Sequence, residues 1–453
     1  MNGDKKAAVD AAGTVAGYRP FRLERWFAKY EFDPKIKHLL CCSDAEALTL
    51  KELLSLADDA TRQQWDELKL TYTESQGDPA LRYEISTLYP HTTTDDIVTA
   101  VPEEAILMAF WALLEDGGRV VVMAPHYQSL SETAMARGCQ VDFWTGRERE
   151  GEWIFDVDEL EQIVNSGPKP TVLVVNFPHN PSGFVPSPAE WERIISLCQS
   201  HEMYLFSDEM YWELFHTTPP LTSAVSLYDK AITLSGMSKS YALPGLRLGW
   251  LACRDKEFMA KVLTLKDFTT ICGPGPSEVL ALIALRNRER ILQRTRAIIS
   301  ANVRALRAFC AAHTSVFDFR QPRGGLITFI PLKGAAASKG AGAFSEELVR
   351  EAGILLLPSD EMEMGETTGC HFRFGLGRVN FLEGLRALHR YLSSGEGATE
   401  SWLTEDMILR PSSLSLGVDL DGRVHEGPAE EPRTGKGRTQ GFPVSGTEPG
   451  AHT

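Results

Sequence analysis

The chain has 453 residues, 43% of them hydrophobic and 24% charged, enough for large cores and for two or three domains. Sixty-one acidic against 46 basic residues leave a formal charge of −15, which argues against nucleic acid or an anionic membrane as a partner. The longest apolar run, 105–114, is too short for a bilayer span, and residues 1–17 lack the hydrophobic stretch of a secretory signal. A soluble, cytoplasmic protein is therefore expected. The eight cysteines show no CxxC pair and no repeated spacing, and several sit in apolar runs. They read as reduced core thiols rather than disulfides or zinc ligands.

Residues 1–19 are small and polar, and a flexible N-terminus is expected there. Residues 20–70 suit an arm and part of a small domain. Phe21, Trp26, Phe27 and Tyr30 would dock the arm on another surface, and short helices are expected over 45–56 and 60–70. A turn at Gly77-Asp78-Pro79 opens a further helix, with Asp78 as cap and Pro79 in the first turn. Residues 71–290 then read as a large domain. Helices are expected over 103–114, 128–137, 156–164 and 188–200. They alternate with strands over 119–124, 139–144, 171–175, 203–207, 231–234 and 247–253. That alternation means an α/β fold around a mostly parallel sheet covered on both faces, which binds ligands at the carboxyl ends of its strands. Helices over 276–313 lead into a smaller α+β domain, 291–394. Residues 395–453 shift to Gly, Pro, Ser, Thr and Glu, and a largely disordered tail is expected.

Polar residues gather just past the predicted strand ends. Lys239 follows the run Ala231–Leu234 and sits among small and hydroxyl residues; at the mouth of a buried site it would lose its proton readily and form a Schiff base with a carbonyl cofactor. Asn180 lies in the loop Asn176-Phe-Pro-His-Asn-Pro-Ser-Gly183, stiffened by two prolines. Asp208 follows the strand 203–207, and Tyr211 stands three residues on. A buried carboxylate there would keep a pyridine nitrogen protonated, and a tyrosine could donate to a phenolate. Each also has a bland reading, as a turn former, a helix cap or a surface lysine between strands.

The joint order Tyr72, Asn180, Asp208, Tyr211, Lys239, Arg247 and Arg373, the last in His371-Phe-Arg-Phe-Gly375, resembles the class I/II aminotransferases, the fold type I enzymes that depend on pyridoxal 5′-phosphate. The resemblance spans roughly residues 20–393. It implies a large domain with a seven-stranded, mostly parallel sheet and a smaller α+β domain. Within it Lys239 looks like the Schiff-base lysine, Arg247 like the phosphate-binding arginine, and Ser238 like a further phosphate contact. Asp208 matches the partner of the pyridine nitrogen, Asn180 and Tyr211 the donors to the ring O3′, and Tyr127 the aromatic stacked on the ring. Arg373 matches the arginine that grips the substrate α-carboxylate in a two-pronged bond, with Asn180 beside it. Tyr72 matches a tyrosine that reaches the phosphate of a neighbouring subunit, which implies a homodimer. The loop 176–183 together with Tyr241–Trp250 also resembles the branch containing capreomycidine synthase, a cyclising enzyme.

Two positions depart from the family pattern. Val101-Pro102-Glu103 replaces the small and hydroxyl residues that open the phosphate-cradling helix; Pro102 has no N–H, and the Glu103 carboxylate would repel a phosphate unless turned away. Gly236 stands where many relatives carry serine, so Ser235 or Ser238 must serve the phosphate, or neither does. The resemblance implies amino transfer between an α-amino acid and a 2-oxo acid, with β-elimination or cyclisation as the alternative outcome of the same machinery. A ligand sensor attached to a DNA-binding domain ranks below both on the acidic charge and the lack of a basic helical segment at the N-terminus, and a catalytically dead relative does so because the lysine, the aspartate and both arginines are present. His126, His179 and Trp212 read as packing residues.

Overall fold

The computed structural model describes residues 14–114, 117–393, 399–409, 414 and 416. Fourteen strands are present among them: β1 (His38–Leu39), β2 (Ile97–Ala100), β3 (Arg119–Ala124), β4 (Gln140–Thr145), β5 (Arg147–Arg149), β6 (Glu152–Ile154), β7 (Val172–Asn176), β8 (Tyr204–Asp208), β9 (Ala231–Gly236), β10 (Gly249–Ala252), β11 (Ile327–Pro331), β12 (Ile354–Leu355), β13 (Leu357–Pro358) and β14 (His371–Gly375).

Seven strands form the central sheet in the order β2-β10-β9-β8-β7-β3-β4. The pairings from β9 to β4 are all parallel, and β10 runs antiparallel to both its neighbours. The strands are Val- and Leu-rich because both faces are buried, and the pleat splits their side chains between two cores. Val121, Met123, Leu173, Val175 and Leu205 join one cluster, while Val120, Val122, Val172, Val174 and Phe206 join the other. Burying each such side chain contributes about 1.5–3 kcal/mol, so the alternation fixes strand register firmly. The helices expected at 103–114 and 188–200 are observed at Pro102–Leu113 and Pro188–Ser200. Asp78 caps Pro79–Ser86 by accepting from Leu81 N at 2.9 Å, with proline in the first turn as anticipated.

The smaller sheet, β11-β14-β13, packs among the helices Arg288–Ala312, Ala341–Ala352 and Phe381–Leu392. β1 pairs in parallel with β12 in a separate two-stranded sheet, and Gly375 N of β14 donates to the Leu40 carbonyl just after β1, which ties the N-terminal segment to the smaller domain. Gly375 permits it: a Cβ there would lie 1.8 Å from the Cys42 carbonyl oxygen.

Several expectations shift. Residues 147–154 form a β5–β6 hairpin that the alternating pattern did not reveal. The strand expected from Arg247 begins at Gly249, because Arg247 itself adopts a left-handed turn (φ 50°). Residues 1–13 lie outside the described residues, but 14–19 are tied down: Val15 and Tyr18 bridge, and Arg19 pairs with Glu132 at 2.6 Å. Most of the expected tail also lies outside the described residues. Within it Trp402, Met407 and Leu416 are buried in the core, Trp402 meeting Phe309 at 5.7 Å, since three large apolar groups gain more from burial than a polar context costs. None of the eight cysteines forms a disulfide. No helix among the described residues is long and apolar enough to cross a membrane.

Candidate active site

The carboxyl ends of β7, β8 and β9 lie level because Asn176 pairs with Asp208 and Asp208 with Leu234. Above them opens a cavity of about 630 Å³. Its floor carries Asp208 and the loop after β9 brings Lys239. β14 supplies Arg373 from the smaller sheet, while the helix Arg22–Tyr30 forms a roof. The site therefore lies between the two sheets, at the strand ends where such folds bind ligands.

Lys239 Nζ donates to Ser43 Oγ at 3.1 Å. Burial pushes its pKa below the usual lysine value; the Asp44 carboxylate opposes this and the Arg373 guanidinium adds to it. Asp208 is buried and accepts a single backbone hydrogen bond, from Met210 N at 3.0 Å. Burial raises its pKa to about 6, while the Met210 N–H and the Lys239 charge oppose the rise. Tyr211 Oη donates to the Ser43 carbonyl at 3.2 Å, and burial pushes the phenol up. Arg373 is 1% exposed. Its Nε and Nη2 donate to the Cys41 carbonyl at 3.3 and 3.1 Å, and Nη1 donates to Asn180 Oδ1 at 3.2 Å. Asn180 is held in turn by its own N–H, which donates to Asn176 Oδ1 at 2.7 Å.

Tyr127 lines the cavity, tilted against Phe21 with ring centroids 4.8 Å apart, and its hydroxyl donates to Glu24 at 2.8 Å. Ser238 Oγ is buried without a hydrogen-bond partner. Arg247 stands exposed at the rim, its Nη1 donating to the Pro244 carbonyl at 3.2 Å. Glu103 also faces the cavity, so it is not turned away. Although its surface is open to that space, surrounding protein raises its pKa to about 7, the Glu24 and Asp208 carboxylates add to the rise, and Arg247 opposes it. Gly236 has a packing reason: a Cβ there would lie 2.8 Å from Gly249 Cα on β10, so a serine has no room.

The structure thus brings together Lys239, Asp208, Tyr211, Asn180, Tyr127, Ser238, Arg247 and Arg373. Tyr72 stands apart on the surface, 84% exposed. His126 and His179 are buried packing groups bonded to Ser131, and to Ser182 and the Pro125 carbonyl, and burial holds both at a pKa of about 3. Trp212 packs on Phe215. Sequence reasoning missed Glu24, Phe27, Glu31, Ser43 and Asp44, all cavity-lining. The spacing of Glu24, Phe27 and Glu31 along one helical face was the available signal. No metal-binding cluster occurs among the described residues.

The family model for aminotransferase class I and II matches residues 41–381. Capreomycidine synthase of Streptomyces vinaceus is 28% identical over 375 residues, 82% of this chain and 93% of that one. A PLP-dependent aminotransferase from Streptococcus suis 89-1591 superposes with a TM-score of 0.75 at 26% identity, covering 84% of this chain and 99% of that one. The PLP-dependent cyclase OrfR superposes with a TM-score of 0.74 at 28% identity, covering 83% and 97%. The residues present fit pyridoxal phosphate: a buried carboxylate with a raised pKa, an orphaned buried hydroxyl at Ser238 and a lysine with a lowered pKa face one cavity. With well over half its length matched, the chain belongs to the class I and II aminotransferases, fold type I enzymes whose cofactor is pyridoxal phosphate.

Proposed function

We propose that the protein transfers the amino group of an α-amino acid to a 2-oxo acid, with the cofactor carried on Lys239. The observation that carries this reading is the convergence of Lys239, Asp208 and Arg373 on one cavity. When bound, the cofactor supplies an electrophilic carbon and a ring able to store an electron pair. Asp208 would keep the proton on the ring nitrogen, Tyr211 and Asn180 would donate to the ring oxygen, and Tyr127 would cover the ring face. Arg247 and Ser238 would take the phosphate, and Tyr72 would reach the cofactor of a second copy of the chain in a homodimer. Arg373 holds the substrate carboxylate through a charge-assisted pair of bonds that fixes the α-carbon near Lys239. The Lys239 amine, whose pKa burial lowers, would act as the base that takes the proton from that α-carbon.

A second reading is a lyase or cyclase, supported by the similarity to capreomycidine synthase and OrfR. Both use the same lysine, aspartate and arginine, so product analysis separates them. The test is borohydride trapping of the cofactor followed by mass mapping. The label is expected on Lys239 in the wild type and absent in Lys239→Ala, whose turnover falls at least about a hundredfold. With an amino acid present, release of 2-oxo acid supports amino transfer, while release of ammonia or a cyclised product supports the second reading. A cofactor that borohydride never fixes to the chain would overturn both.

A further inference from the structure

Residues 41–43 touch the site at three places, and the proposed function gives their two thiols nothing to do. The Cys41 carbonyl accepts from Arg373 Nε and Nη2 at 3.3 and 3.1 Å. The Ser43 carbonyl accepts from Tyr211 Oη at 3.2 Å, and Ser43 Oγ from Lys239 Nζ at 3.1 Å. The Cys42 peptide lies against β14, where a Cβ on Gly375 would be 1.8 Å from its oxygen. A twist of this backbone therefore moves the groups that hold the substrate carboxylate and the reacting amine.

The two thiols are placed unequally. Cys41 is fully buried beneath the roof helix, among Leu23, Trp26 and Leu355, while Cys42 lines the cavity. The Cys41 S–H donates to the Cys42 sulfur, which holds Cys42 below the usual thiol value; burial and Asp44 oppose this, and Arg378 adds to it. Burial and the neighbouring sulfur push Cys41 well up, so it keeps its proton. Burial also pushes up the thiols of Cys198, Cys253 and Cys310. The pair alone sets an attacking sulfur at the cavity wall with a proton-bearing sulfur directly beside it, which is what a two-step thiol oxidation needs.

We propose that Cys41 and Cys42 form a reversible oxidation site: a hydroperoxide entering the cavity joins them as a disulfide between neighbouring residues, which shuts the substrate site. The Cys42 thiolate attacks one peroxide oxygen. The S–O bond forms as the O–O bond breaks, and the departing hydroxide leaves as water with the proton that Cys42 gave up. The Cys41 sulfur then attacks the Cys42 sulfur, the S–O bond breaks, and the hydroxyl leaves with the Cys41 proton as a second water. The two thiols lose two electrons and the peroxide takes them. Consecutive Cα atoms stand about 3.8 Å apart, below the roughly 4.4–6.8 Å that a disulfide spans. The closed ring therefore twists the peptide and withdraws the Cys41 carbonyl from Arg373. A bond strained in this way is readily reduced by a small thiol, which restores the site. The gating rests on the reading that Arg373 holds the substrate carboxylate; the oxidation does not.

The test treats the holoprotein with hydrogen peroxide, alkylates the remaining thiols in denaturant and maps the peptide masses. The peptide carrying Cys41 and Cys42 is expected to lose both labels, and about 2 Da, before the other cysteines react. Turnover is expected to fall at least about tenfold in step with that loss and to return with dithiothreitol. Cys41→Ser should stop at a sulfenic acid on Cys42, about 16 Da heavier and trapped by dimedone, while Cys42→Ser should keep its own turnover under the same peroxide. Labels retained on both Cys41 and Cys42 while turnover falls, or a disulfide formed with turnover intact, overturn this proposal and leave the amino-acid reading standing. Absence of turnover before oxidation overturns that reading instead, and the mass map alone then decides the thiol chemistry.

Discussion

The Asp208 carboxylate is held at the end of β8 by one backbone N–H, and the charge of Lys239 only partly offsets its burial. Its pKa is raised to about 6, so the unbound protein carries a penalty that depends on pH. The penalty is absent below the ordinary carboxylate range, grows as pH rises, and is complete above about 6. Asp208→Asn keeps the acceptor for Met210 N and removes the charge. The cofactor-free variant is expected to be more stable than wild type above pH 6 by about 1–3 kcal/mol, converging with it near pH 4, while turnover falls at least about a hundredfold. Thermal melts of cofactor-free protein across pH check the first part and a rate assay the second. Residues like Asp208 were legible in the sequence because they follow apolar runs, and strand ends are where ligands bind. Ser43, Glu24 and Glu31 were not. Ser43 bonds Lys239 from 196 positions away, and all three are brought to the cavity with a β1–β12 pairing that only tertiary packing sets.

At the next scale, the start of the helix Pro102–Leu113 decides how the phosphate is seated. Val101 N reaches Glu104 at 3.4 Å, Pro102 offers no N–H, and Glu103 presents its carboxyl to the cavity. With a pKa near 7, Glu103 is neutral in acid and can donate to a phosphate; above that it is an anion facing an anion. Cofactor affinity is therefore expected to weaken as pH rises from 6 to 8. Glu103→Gln should flatten that profile and tighten binding at pH 8 by about three- to tenfold, measured by fluorescence titration of the cofactor-free protein. The same close packing explains Gly236, whose neighbour Gly249 meets both the Ser235 carbonyl and the Pro102 ring. That substitution was visible in the sequence, but its reason was not, because it lies in the contact between β9 and β10. The main elements were legible from periodicity; the β5–β6 hairpin was too short and too polar to register.

Taken as a whole, the molecule leaves apolar side chains exposed on one region. Leu70, Tyr72, Phe268 and Ile271 are between 54% and 87% exposed, and Thr73 bonds the Gly273 carbonyl at 2.9 Å, which joins the two segments. A patch of that kind on one surface suits a second copy of the chain. Sedimentation is expected to give twice the 50.2 kDa of one chain. Phe268→Asp should shift the protein to monomer and weaken cofactor binding, whereas Tyr72→Phe should leave the mass and weaken cofactor binding about three- to tenfold. The pairing of β1 with β12 has a consequence for biosynthesis. The partners lie roughly 300 residues apart, and at ordinary translation rates the second emerges some 15–60 s after the first. In the last third of that interval Lys239 and Asp208 have been made, but β12 and Arg373 have not, and the roof has nothing to close against. Lys239 then stands open to water, and an amine in water keeps its proton. The reactive form of the lysine thus waits for β12 and β14 to be made.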